Sequence, residues 1–186
     1  SLDPRGRVMG FGLGFQEGEW QARAALRGVE VSPWQQAPGG GPFDMWVEAR
    51  GGSGLVRFVG GDAATLHFPE VFAGPMALEY ASGEVRWVYD GPRSMVSGRD
   101  LVVGWNGAEI SGGFGLSVGR GARGGFGLTL ALEEVDAVET PLIEWLPVGI
   151  LGDDLRDWLA EGVAGRVPEG SLRLLNPDGQ FDGLAR

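Results

Sequence analysis

Gly112-Gly113-Phe114-Gly115-Leu116-Ser117-Val118 returns, after Gly119-Arg120-Gly121-Ala122-Arg123, as Gly124-Gly125-Phe126-Gly127-Leu128-Thr129-Leu130. Side chains alternate across a β-strand, so each copy sorts into two faces. Phe114, Leu116 and Val118, then Phe126, Leu128 and Leu130, make one face bulky and apolar. Gly113, Gly115, Ser117, Gly125, Gly127 and Thr129 leave the other face almost bare. The intervening Gly/Arg stretch reads as a turn, so the copies form a hairpin. Interior strand glycines mark bulges, bends or close backbone approach, so the hairpin is expected to curve. Gly10-Phe11-Gly12-Leu13-Gly14 brushes against a dinucleotide fingerprint. It lacks the third glycine spacing and a following helix, and its likeness to the Gly-Phe-Gly-Leu copies makes it another strand.

The same alternation runs from the N-terminal region to about Val135. Trp20, Ala22, Ala24 and Leu26 share one face, with Gln21, Arg23 and Arg27 on the other. Phe43, Met45 and Val47 alternate with Asp44, Trp46 and Glu48. Shorter runs follow at 55–59, 64–68, 77–80, 84–89 and 100–105. Turn signals recur every roughly 8–12 residues, which indicates consecutive antiparallel strands rather than βαβ units. The expected fold is mainly β: a curved antiparallel multi-stranded sheet with one C-terminal amphipathic helix and a short helical turn. Strands occupy about 5–135, a helical segment about 140–165, and a return strand about 171–175, all within one module spanning 1–186.

The helical segment rests on a change of period. Thr140-Pro141 suits an N-cap followed by proline at the first helical position, with the turn running through Trp145. Leu151, Leu155, Trp158, Leu159 and Val163 fall on one side of a helix expected over 153–164, and Gly165 suits its end. Asp153 and Asp154 stand at its start, where carboxylates favour the positive end of the dipole.

Composition excludes several classes. The chain has 186 residues, of which 35 are glycine, yet it keeps seven Trp and nine Phe and has no collagen period. Its net charge of -10 argues against nucleic acid as partner and against docking on anionic lipid head groups. The absence of cysteine excludes disulfides and thiolate metal sites. No apolar run is long enough for a membrane-spanning helix. The chain begins at Ser1 without a charged-then-apolar leader, so any signal or anchor is expected to lie outside it.

Candidate chemistry is sparse. His67, the single histidine, lies in a strand between Leu66 and Phe68 with no nucleophile elbow or metal helix nearby. Glu133 and Glu134 are strand neighbours, expected on opposite faces and so unable to act as a glycosidase pair. Asp153-Asp154 are helix-start residues, and Asp62, Asp90, Asp100 and Asp136 look like turn formers. The seven tryptophans could stack on sugars, but their scatter favours packing. Trp46 is the individual expected on the polar face. No catalytic residue, metal or cofactor is assigned.

The chain resembles the YhdP branch of the AsmA-like proteins, large periplasmic proteins of Gram-negative bacteria anchored in the inner membrane. The resemblance runs through Val29-Glu30-Val31-Ser32-Pro33-Trp34 with Pro38, Leu66-His67-Phe68-Pro69-Glu70-Val71-Phe72, and Leu78 through Trp87. Its strongest stretch is Trp145-Leu146-Pro147-Val148-Gly149-Ile150-Leu151 with Leu155, Trp158-Leu159, Gly165-Arg166-Val167 and Gly170-Ser171-Leu172. It departs at Asn176-Pro177-Asp178-Gly179 and at Phe181-Asp182. The resemblance implies a long curved sheet whose apolar concave surface carries phospholipids between inner and outer membranes, without catalysis. Phe114, Leu116, Val118, Phe126, Leu128 and Leu130 would then line a groove for acyl chains. The periplasm is the expected compartment, and adjacent β-segments of the full-length protein are expected partners. Edge-to-edge self-association, a sealed assembly module and a carbohydrate-binding β-sandwich using Trp46 are the other readings.

Overall fold

The computed structural model describes residues 5–33, 39–69, 72, 74–119, 122–140, 142–145, 152–161 and 164–176. Trp34, Pro38, Glu70, Val71, Pro141, Val163 and residues 146–151 and 177–186 lie outside them. The strands are β1 (Arg5–Gln16), β2 (Glu19–Val31), β3 (Gly39–Arg50), β4 (Ser53–Gly60), β5 (Thr65–His67) and β6 (Met76–Ala77). They continue with β7 (Tyr80–Asp90), β8 (Arg93–Trp105), β9 (Ala108–Gly119), β10 (Ala122–Asp136) and β11 (Arg166–Asn176). Two helices, α1 (Leu142–Trp145) and α2 (Asp153–Ala160), separate β10 from β11. All strands join one open antiparallel sheet in the order β1-β2-β3-β4-β7-β8-β9-β10-β11, with β5 pairing β3 and β6.

Tight turns explain why neighbours in sequence are neighbours in space. Gln16 pairs with Glu19, Arg50 with Ser53, Asp90 with Arg93 and Trp105 with Ala108, so each loop holds two residues. Such loops need left-handed backbone. Glu17 and Gly18 supply it at φ 55° and 84°, and Asn106 and Gly107 at 51° and 77°. Asn-Gly is the strongest short hairpin signal a sequence offers, and it belongs to the β8–β9 hairpin. The duplicated Gly-Gly-Phe-Gly-Leu copies pair as expected, with Phe114 opposite Leu128 and Leu116 opposite Phe126.

Four details depart from the alternation. The run at 100–105 is only the second half of β8, because a bulge falls between Gly98 and Leu101 and Asp100 adopts φ 49°. A bulge reverses the face parity, which is why the first half of β8 does not read in phase with the second. The run at 77–80 is not one strand: β6 ends at Ala77 and β7 begins at Tyr80. β11 starts at Arg166, well ahead of the expected 171, because Val167 and Glu169 already pair with Val135 and Glu133. Helix α2 ends at Ala160 with Glu161 as its cap, ahead of the expected 164.

The core gathers at one end of the sheet, opposite the tips of the β1–β2, β3–β4 and β7–β8 hairpins. Phe43, Ala64, Met76, Leu78, Ala81, Trp105, Ala108, Val135 and Trp145 are buried there. The indoles of Trp105 and Trp145 pack with centroids 4.8 Å apart, and Phe72 meets Trp105 edge-on at 6.4 Å. Trp145 Nε1 donates to the Thr140 carbonyl at 3.2 Å, tying α1 to the turn before it. Glu134 sits at φ 58°, and this left-handed step lets both Leu132 and Val135 reach the core.

Candidate functional site: an apolar sheet face

Residues directly opposite in a ladder point to the same side, so the register assigns every side chain to a face. One face carries Phe11, Leu13 and Phe15 of β1, opposite Ala24, Ala22 and Trp20 of β2. Ala24, Ala22 and Leu26 lead to Val47, Ala49 and Met45, and these to Val56, Gly54 and Phe58. The face then passes through Val85, Trp87 and Gly83 to Val96 and Gly98, and on to Leu116 and Phe114. Phe126, Leu128 and Leu130 extend it, and Leu174 and Leu172 of β11 complete it. The apolar side of the duplicated hairpin is thus one section of a stripe across nine strands.

The six residues expected to line a groove can now be placed. Phe114, Leu116, Phe126, Leu128 and Leu130 share this face. Leu116 is exposed and the other four are half-buried. Val118 pairs with Ser94 through its backbone, and its side chain lies outside the described ones. Sequence reasoning missed the greasiest exposed part, which is the β1–β2 end. Phe11 is 80% exposed, Leu13 66%, Phe15 61% and Trp20 60%, with Phe15 and Trp20 in edge contact at 5.0 Å. The Gly-Phe-Gly-Leu-Gly motif was the signal for it.

Glycine has a second use on this face. The Trp87 ring lies where a Cβ of Gly54 would stand, Phe114 leans over Gly98, and Phe58 and Leu101 lie over Gly83. Each of these aromatic rings sits in register with its glycine, so the missing side chain is filled from the neighbouring strand. The surplus glycine therefore reflects ring seats as well as turns.

The opposite face carries the charged pairs, set among exposed Val59, Val88, Met95 and Leu175. Arg23 and Glu48 approach to 3.8 Å, Arg27 and Asp44 to 3.6 Å, and Arg57 and Glu84 to 3.1 Å. Arg86 also contacts Glu84, and the two arginines hold that carboxyl below the usual range, Arg86 contributing most. Trp46 is on this face as expected, 41% exposed, with Nε1 donating to Glu48 Oε1 at 3.2 Å. Glu109, Glu133 and Glu169 stand in cross-strand register here. Behind the duplicated hairpin this face is bare: an open depression of about 430 Å³ is floored by Gly115, Gly125 and Gly127 and edged by Met95 and Leu175.

His67 ends β5 opposite Gly39, half-buried. Asp153 and Asp154 open α2, with Asp153 meeting Arg156 at 3.2 Å. Asp136 is a turn former: its Oδ1 accepts from Val138 N at 2.9 Å while Arg166 approaches Oδ2 at 3.0 Å. These contacts lower its carboxyl below the ordinary range, the Val138 N–H foremost. Among the described residues no group of His, Asp and Glu is arranged to hold a metal ion.

Cover over the apolar face, among the described residues, is concentrated at the core end. β5, β6 and α1 lie there with Phe68 and Phe72. The hairpin-tip end keeps Leu13, Phe15, Trp20 and Leu116 exposed. No described helix is long and apolar enough to cross a membrane. A protein-family model described as YhdP protein matches residues 1–183. No curated protein and no solved structure matches the chain.

Proposed function

The chain belongs to the YhdP family, and from that membership we propose that it is a non-catalytic segment of a phospholipid-transport protein. Membership suggests a lipid-transport-type protein of the cell envelope with an open β-sheet, in a family not known as enzymatic. The finer reading is that acyl chains lie along the apolar face at its hairpin-tip end. Lipid would move there between inner and outer membranes, in the periplasm, with the anchor elsewhere in the protein. The observation that carries it is one apolar stripe running over nine strands while its cover, among the described residues, is concentrated at one end.

Physical chemistry supports that occupant. An acyl chain gains about 0.8 kcal/mol per buried CH₂ and asks for no polar partner. The stripe offers Phe, Leu, Val, Ala and Trp, and the charged pairs lie on the other face. A net charge of -10 gives anionic head groups little reason to remain bound, which suits passage rather than storage. The test is direct. Purified chain should retain co-purifying phospholipid and take up a fluorescent phospholipid, and Leu116→Asp with Phe126→Asp should reduce uptake severalfold. Retention of no lipid, or uptake indifferent to both changes, overturns the reading. The carbohydrate alternative predicts glycan binding lost in Trp46→Ala, a change to which lipid uptake should be insensitive.

A further inference from the structure

Asn106-Gly107 is the one Asn-Gly step in the sequence, and it forms the exposed two-residue turn of the β8–β9 hairpin. That step carries a chemical liability. If the Gly107 amide nitrogen attacks the Asn106 side-chain Cγ, a five-membered succinimide closes, and glycine offers no side chain to obstruct it. The other asparagine, Asn176, precedes Pro177, whose nitrogen has no proton to lose. Ring closure makes two demands: Gly107 must give up its N–H, and the peptide between the residues must swing until its nitrogen faces Cγ. Here that N–H is engaged, donating to Glu79 Oε1 at 2.7 Å. The segment holding it is anchored to both arms of the hairpin. Glu79 N–H donates to the Gly104 carbonyl at 2.8 Å, and Tyr80 OH donates to Glu109 Oε2 at 2.8 Å. Asn106 and Gly107 stand at φ 51° and 77°, the left-handed pair that such a hairpin turn demands.

We infer that Asn106 is a spontaneous deamidation site, and that Glu79 holds it unreacted by clasping the Gly107 N–H. Water is the only co-reactant. Gly107 N loses its proton and bonds to Asn106 Cγ, the bond from Cγ to the side-chain nitrogen breaks, and ammonia leaves with that proton. Water then opens the succinimide at one of its two carbonyls. Cleavage at Cγ gives aspartate, and cleavage at the backbone carbonyl gives isoaspartate, whose side-chain carbon joins the backbone. Glu79 works against the first bond in two ways. A carboxylate is far too weak a base to take the amide proton, and its charge opposes the nitrogen anion that must form. Swinging the peptide toward Cγ also breaks the clasp. Either product puts a new carboxylate beside Glu79, and isoaspartate lengthens the turn next to buried Trp105 and Ala108. Like charges then hinder the clasp from closing again, so the reaction records each opening of this turn irreversibly.

No lipid enters the test, so it stands apart from the transport reading. Isoaspartate is read by methyltransferase labelling near neutral pH, and peptide mass spectrometry locates it at Asn106. The folded chain should react at least about tenfold more slowly than the same chain unfolded in urea, because the ring closes only when the turn opens locally. Glu79→Ala should raise the folded rate about fivefold and leave the unfolded rate unchanged, since it removes a hydrogen bond to a charged group. Glu79→Gln keeps an acceptor but loses the charge, so its protection should fall between the two; it replaces the alanine variant if that one does not fold. Tyr80→Phe removes the neighbouring bond to Glu109 but not the clasp, and should change the rate by less than about twofold. A folded chain that reacts as fast as the unfolded one would overturn the inference. So would a folded rate indifferent to the Glu79 changes, or one that Tyr80→Phe raises equally.

Discussion

Gly54 and Gly115 are both interior strand glycines, and the structure gives them opposite roles. A Cβ at Gly54 collides with the Trp87 ring, whereas one at Gly115 meets nothing within 4 Å. Gly54→Ala should therefore cost about 1–3 kcal/mol by displacing the ring. Gly115→Ala should be neutral or stabilise by up to about 1 kcal/mol, since it removes only unfolded-chain freedom. Urea unfolding of the two variants makes the comparison. Carboxylates set the acid limit. Glu84 and Asp136 have folded pKa values below their unfolded ones, so the unfolded chain binds more protons as pH falls. Their contribution is complete above the ordinary carboxylate range near pH 4 and disappears as pH drops through the lowered folded values. The urea midpoint should decline below about pH 4, and Glu84→Gln with Asp136→Asn should flatten that decline. The row Glu109, Glu133, Glu169 places like charges side by side, so Glu133→Gln should stabilise by about 0.2–1 kcal/mol at pH 7.

At the scale of elements, the two described tryptophans of the helical insertion between β10 and β11 differ sharply in burial. Trp145 of α1 is 4% exposed against Trp105, while Trp158 of α2 is 54% exposed. Trp145→Ala should cost about 3–5 kcal/mol by opening a cavity at the capped end, and Trp158→Ala well under half of that. Thermal unfolding followed by near-ultraviolet dichroism would register both. The period-3.6 pattern located α2 but not its packing, because amphipathicity reports that one side is apolar and not what it meets. Strand faces were legible wherever the ladder is regular, as in the Phe114–Leu130 hairpin. They were lost at Asp100 and Glu134, where a single left-handed residue resets which side faces the core. Asp100 carried a turn signal, but a bulge inside a continuing strand is not what that signal specifies, and at Glu134 nothing in the local composition announced the break.

At the scale of the molecule the decisive property is an apolar face that, among the described residues, is wider than its cover. If acyl chains occupy it, uptake of fluorescent phospholipid should be nearly indifferent to ionic strength, changing less than about twofold between about 0.05 and about 0.5 M salt. A steep salt dependence would mean that head-group charge, rather than the stripe, controls binding. The sequence by itself determined the strand-rich class, the antiparallel hairpins, the sorting into one greasy and one small or charged face, and the acidic surface. Alternation and turn chemistry act between near neighbours, so they are written locally. Only the tertiary structure decided that the separate faces align into one stripe across nine strands. It also decided that interior glycines seat rings from the next strand, and that the core is gathered at one end while Phe15, Trp20 and Leu116 stay exposed. Those outcomes depend on strand order, register and the direction in which the 61–79 and 137–165 connections fold, which are long-range choices that no local pattern encodes.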